Sequence, residues 1–102
     1  MGMEKRKAHY DLETVKAILA KRGVDTFTQT ALRGIDDMGL TQAEGVMVVL
    51  SLRHDMFLKS MTTHADHRVW QDVYHAPCPN GKIAYIKLTI QAGATVIQFK
   101  EK

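Results

Sequence analysis

The sequence predicts an α+β fold in which N-terminal helices pack on one face of an antiparallel β-sheet, and three observations predict it. Apolar residues recur at the helical period through the first half of the chain. From Met56 onward the period falls to two, with β-branched and aromatic residues enriched. The joints between the later segments are short and contain glycine, which pairs neighbouring strands as hairpins. Helices followed by strands, rather than alternating with them, argue for helices segregated to one side of the sheet.

The first helix is capped by Asp11 and places Leu12, Val15, Ile18 and Leu19 on one face. Lys21 and Arg22 sit at its cation-favouring end, and Gly23 stops it. A second helix is expected from near Thr28, with Ala31, Leu32 and Ile35 on one side, stopping at Gly39. Thr41-Gln-Ala-Glu44 has the form of a capping box and is followed by Val46, Met47, Val49 and Leu50. It opens a third helix expected to run to about Leu52. Four strands follow, over 56–63, 68–75, 82–91 and 94–101. The last two pairs are joined through Pro77-Cys78-Pro79-Asn80-Gly81 and Ala92-Gly93.

Alternation along 82–91 assigns Ala84, Ile86, Leu88 and Ile90 to the core and Ile83, Tyr85, Lys87 and Thr89 to the other side. In 94–101, Thr95, Ile97 and Phe99 alternate with Val96, Gln98 and Lys100. Lys59 and Met61 share a face of their strand, as do Val69, Gln71 and Val73 of theirs. A polar sheet face carrying Lys59, Gln71, Tyr85 and Lys100 follows, and the plainest reading of such a face is solvated surface. Trp70, opposite Gln71 by alternation, is expected in the core.

The length of 102 residues fits one domain, 1–102, with residues 1–8 expected as a flexible or loosely held N-terminus. An apolar fraction of 45% and a charged fraction of 25% are those of a soluble chain that folds around its own core. No apolar run approaches the roughly eighteen residues of a membrane span, and the start lacks the apolar stretch of a signal peptide, so a cytoplasmic protein with no membrane partner is expected. The single Cys78 fits a reducing compartment. The net charge is only +3, but it is uneven. Seven of the eleven acids lie between Glu4 and Glu44, whereas the last twenty-one residues hold four lysines and one acid.

Three chemistries compete on these residues. His64, His67, His75 and Cys78 could serve a metal-dependent hydrolase, although a strand would splay His64 and His67 to opposite faces and the ligand spacing is loose. Cys78 with His75 could form a thiol nucleophile pair, but nothing identifies an orienting third group. The basic sheet could also act as a non-catalytic RNA- or protein-binding module.

A family resemblance separates these readings. Met3-Glu4-Lys5-Arg6 with His9, Lys59-Ser60-Met61-Thr62-Thr63, Asp66-His67, Trp70-Gln71-Asp72-Val73-Tyr74 and the closing Phe99-Lys100-Glu101-Lys102 are similar to the strings of the MqsR family of toxins. The resemblance runs from Met3 to Lys102. It implies a RelE-like α+β ribonuclease fold, cleavage of mRNA at GCU-type sites, and neutralisation by an MqsA-type antitoxin that binds zinc and carries a helix-turn-helix. It also implies an active-site set of Lys59, Gln71, Tyr85 and Lys100, which coincides with the polar face found by alternation.

Such a set needs no metal and no cofactor, because RNA carries its own nucleophile in the 2′-hydroxyl. Neighbouring lysines depress each other's pKa, so one can act as base while another stays cationic over the phosphate. Lys59 is the expected base and Lys100 the expected cation; Tyr85 positions phosphate or donates a proton, and Gln71 hydrogen-bonds phosphate or a base edge. Met61, His64, His67, Arg68, Tyr74 and Lys87 are the candidates for contacting single-stranded RNA, where splayed bases stack on aromatic or guanidinium planes.

Overall fold

The computed structural model describes residues 2–102. Three helices, α1 (Leu12–Arg22), α2 (Gln29–Asp37) and α3 (Gln42–Leu50), cover one face of an antiparallel sheet. The strands β1 (Glu4–Lys5), β2 (Phe57–Thr62), β3 (Trp70–Pro77), β4 (Ile83–Gln91) and β5 (Ala94–Glu101) lie in chain order across it.

The helix starts are those the side chains dictate. Asp11 accepts from the Thr14 amide at 3.1 Å, Thr28 from that of Ala31 at 3.0 Å, and the Thr41–Glu44 capping box closes in both directions. Leu12, Val15 and Leu19 of α1, Ala31 and Ile35 of α2 and Val48 and Val49 of α3 enter one core with Tyr74, Ile86, Leu88, Ile97 and Phe99 of the sheet. On α3 the buried face is turned by one residue from expectation: Val48 is inside, and Met47 is 59% exposed. The helix also ends two residues early, at Leu50.

α2 lies so close on β5 that a Cβ at Gly34 would collide with the Phe99 carbonyl oxygen. Just before α2, Phe27 bridges Ile97, and the Thr28 amide donates to the Ile97 carbonyl at 3.1 Å. The outer edge of β5 is thereby occupied, and the first turn of α2 is brought to the rim of the uncovered face. β4 and β5 are joined by Ala92 and Gly93, both at positive φ (52° and 77°), the two-residue turn whose twist matches a hairpin.

Two expectations need correcting here. The segment 68–75 becomes a strand over Trp70–Pro77, because residues 63–69 form a turn in which Thr63 Oγ1 donates to the Asp66 carbonyl at 2.8 Å. Part of the N-terminus expected to be loosely held is an edge strand, with Glu4 opposite Met61 and Lys5 opposite Ser60. Met1, the first residue of that terminus, lies outside the described residues.

Candidate active site

Directly opposed residues of an antiparallel pair share a face, so the register defines the open side of the sheet. One row runs Lys59, Val73, Lys87, Gln98 across β2 to β5, and its neighbour runs His75, Tyr85, Lys100 across β3 to β5. Gln71 stands opposite Met61 in the next row toward the β2–β3 turn. Lys59 reaches this face through a bulge. Phe57 opposes Tyr74 and Lys59 opposes Val73, which leaves Leu58 as the extra residue. Phe57 therefore packs against Tyr74 on the covered side while Lys59 points to the open side.

The four residues expected to form the active site thus lie on one surface. Lys100 Nζ sits 5.3 Å from the centre of the Tyr85 ring, and Lys87 Nζ lies 5.9 Å from it. Two depressions meet along this line. One of about 350 Å³ is walled by Tyr85, Lys87, Gln98 and Lys100 and by Thr28, Thr30 and Ala31 of the α2 start. The other, of about 470 Å³, is lined by Gln71, Met61, His64, Lys87 and Gln98 among others. Lys87 and Gln98 belong to both.

The lysines have unequal surroundings. Lys59 Nζ is ion-paired with Glu4 Oε1 at 2.7 Å, and the hydrogen bond from Lys59 holds the Glu4 carboxyl below its ordinary range. Lys87 and Lys100 make no ion pair with any described residue. Burial lowers the pKa of Lys87, and the charges of Lys100 and Lys59 lower it further. Lys59 is thus held by a carboxylate across the β1–β2 edge, whereas Lys87 has no such partner among the described residues.

The candidates for RNA contact divide. Met61, His64 and Lys87 line the larger depression. His67 and Arg68 are exposed in the β2–β3 turn, where Arg68 holds Asp66 at 3.1 Å. Tyr74 must be withdrawn: it is 1% exposed, opposes Ile86, and belongs to the core beneath the helices. Its parity is that of Trp70 and Asp72, the covered side.

Trp70 is on that side, as expected, but only half-buried, because the N-terminal segment covers it instead of a helix. The His9 ring stacks on it at 5.5 Å and Lys5 Nζ lies 4.2 Å from its ring centre. The residues of the metal reading do not converge. Among the described residues, no three His, Cys, Asp or Glu side chains are grouped so as to hold a metal ion. Cys78 is buried in the β3–β4 turn, and its thiol pKa is raised by burial, the opposite of an activated nucleophile.

Sequence reasoning missed Glu4 and His75 as parts of this surface. A two-residue strand has no periodicity to read, so Glu4 gave no signal. His75 does alternate with Gln71 and Val73, and its ring lies 5.5 Å from that of Tyr85.

Helices on one face of an antiparallel meander, with lysines across the uncovered face, make an α+β protein whose arrangement is consistent with a RelE-like bacterial toxin fold. Residues 7–101 match the family described as motility quorum-sensing regulator, toxin of MqsA. The chain is 39% identical to the mRNA interferase toxin MqsR of Escherichia coli (strain K12) over 100 residues, covering 98% of the chain and 100% of that relative. The chain belongs to the MqsR toxin family.

Proposed function

We propose that this protein is an endoribonuclease toxin that cuts single-stranded mRNA through the RNA's own 2′-hydroxyl, in the cytoplasm, and that an MqsA-type antitoxin neutralises it. The observation that carries this reading is the pair of uncompensated lysines, Lys87 and Lys100, beside Tyr85 on a sheet face that no helix covers. A phosphodiester supplies the negative charge that this face lacks. The dianionic phosphorane formed by 2′-oxygen attack supplies more, so the same cations bind the transition state better than the substrate.

In this reading Lys100 lies over the phosphate, Tyr85 positions it and hands a proton to the leaving 5′-oxygen, and Gln71 hydrogen-bonds a base edge or phosphate oxygen. The Gln71 amide is suited to that task, since it makes no hydrogen bond to any described residue although Gln71 is only 9% exposed. Lys59, fixed by Glu4, adds a cation at the far end of the row. Met61, His64, His67 and Arg68 border the path of the flanking bases, where GCU-type preference would be set. The antitoxin is expected to bind zinc and to carry a helix-turn-helix, as the family resemblance implies.

Incubating the purified chain with single-stranded RNA in excess chelator tests the activity. Discrete cleavage products are expected, and intact RNA with well-folded protein contradicts the proposal. A reaction that proceeds only when a divalent ion is restored would return the case to metal-activated water.

A further inference from the structure

Lys87 occupies a place in the site that the four-residue set leaves unfilled. It stands at the middle of the open face, is shared by both depressions, and neighbours Tyr85 and Lys100 with no carboxylate among the described residues to hold its proton. We propose that Lys87 is a catalytic residue, the base that takes the proton from the attacking 2′-hydroxyl. The inference rests on the ribonuclease reading above and assigns the one proton transfer that reading leaves open.

The charged groups around Lys87 favour this assignment. Lys59 from β2 and Lys100 from β5 are both cations that disfavour its ammonium. Glu4 from β1 is engaged by Lys59, and Asp66 in the β2–β3 turn is engaged by Arg68 through two contacts of 3.1 and 3.2 Å. The α2 start presents Thr28, Thr30 and Ala31, none of which carries a charge. His75 of β3, Tyr85 of β4 and His64 of the turn are the remaining titratable neighbours. Burial is the largest cause of the lowered Lys87 pKa, ahead of Lys100 and Lys59, so a larger share of Lys87 than of a solvated lysine is the free amine.

The step balances without any further reactant. The neutral Nζ of Lys87 accepts the 2′-hydroxyl proton while the oxygen's electron pair forms the O2′–P bond. The P–O5′ bond breaks with its pair moving to O5′, which takes the Tyr85 hydroxyl proton. The Lys87 ammonium then returns a proton to the Tyr85 phenolate through water. One 2′,3′-cyclic phosphate and one 5′-hydroxyl result.

The test measures single-turnover cleavage of a short single-stranded RNA against pH for the wild type, Lys87→Ala, Lys87→Arg and His75→Gln, with RNA affinity measured alongside. Lys87→Arg keeps the charge but cannot yield a free base. Both Lys87 variants should lose about a hundredfold or more in rate, as removal of an acid–base group does, while Lys87→Arg still binds RNA. The rate of the wild type should climb with pH, and that climb should persist in His75→Gln and vanish in Lys87→Ala. Added ethylamine should restore Lys87→Ala in proportion to its free-base concentration. Near-wild-type cleavage by Lys87→Arg would overturn the assignment and leave Lys87 a binding cation. A wild type that does not cut RNA at all would overturn the ribonuclease reading itself.

Discussion

Adjacent residues of β3 show how differently the two faces of this sheet treat polar groups. Asp72 points under the N-terminal segment and is 1% exposed; its carboxylate accepts from the His9 amide at 3.0 Å and the Tyr10 amide at 2.8 Å. The side chain of Gln71, one residue away, points to the open face, and its amide makes no hydrogen bond to a described residue. The lysines repeat the contrast. Lys5, on the covered side, lies against Trp70 and bonds His9 at 2.8 Å; on the open side Lys59 is paired with Glu4, but Lys87 and Lys100 have no anionic partner among the described residues. A face whose polar groups satisfy one another serves stability. A face that leaves them unsatisfied is prepared for a ligand with complementary charge.

That contrast is broken most severely by Tyr85→Ala and Lys100→Ala, which remove interactions strengthened as the phosphorane forms. Each should cost about 2 to 4 kcal/mol in the barrier, a hundredfold or more in rate, with the melting temperature nearly unchanged. Because both act on one transition state, the double substitution should cost less than the sum of the singles in cleavage assays. Full additivity would mean that they do not share a phosphate.

Asp72→Ala attacks the other face. It strands the His9 and Tyr10 amides and should lower unfolding free energy in urea by roughly 2 to 3 kcal/mol. The chemistry per folded molecule should change far less than in Tyr85→Ala. A catalytic defect as deep as that of Tyr85→Ala, in fully folded protein, would show that the faces are not separate.

The smallest effect is expected of Glu4→Gln. The Glu4 pKa is lowered in the folded state by its bond to Lys59, so its contribution to stability is present above the unfolded value near 4.5 and is lost as pH falls through the lower folded value. The difference in melting temperature between wild type and Glu4→Gln should therefore be small at neutral pH and vanish in acid. A difference that grows as the pH falls would mean that the Glu4–Lys59 pair does not act this way.

Much of this arrangement was legible in the residues, and what was not has physical reasons. Asp11, Thr28 and the Thr41–Glu44 box mark helix starts because unpaired first-turn amides need acceptors. Strict alternation in 82–91 sorted Tyr85 and Lys87 from Ile86 and Leu88 because Ile86 and Leu88 enter the core while Tyr85 and Lys87 stay partly exposed. The bulge at Leu58 was hidden, since an unbroken alternation puts Phe57 beside Lys59. Glu4 was hidden in a strand too short for any period. Tyr74 was misread by weighing its ring for base stacking over its parity with Asp72, and the ion pair of Lys59 was hidden because its carboxylate partner is 55 residues away in the chain.

The most direct test of the account is the identity of the ends left on cleaved RNA. The open face is held to work through the 2′-hydroxyl, so every cut made in the presence of chelator should leave a 2′,3′-cyclic phosphate and a 5′-hydroxyl, both resolved by mass spectrometry of a short synthetic RNA. A substrate with a single 2′-deoxy residue at the cut should stay intact there. Products with 5′-phosphate ends, or cleavage at the 2′-deoxy position, would contradict it.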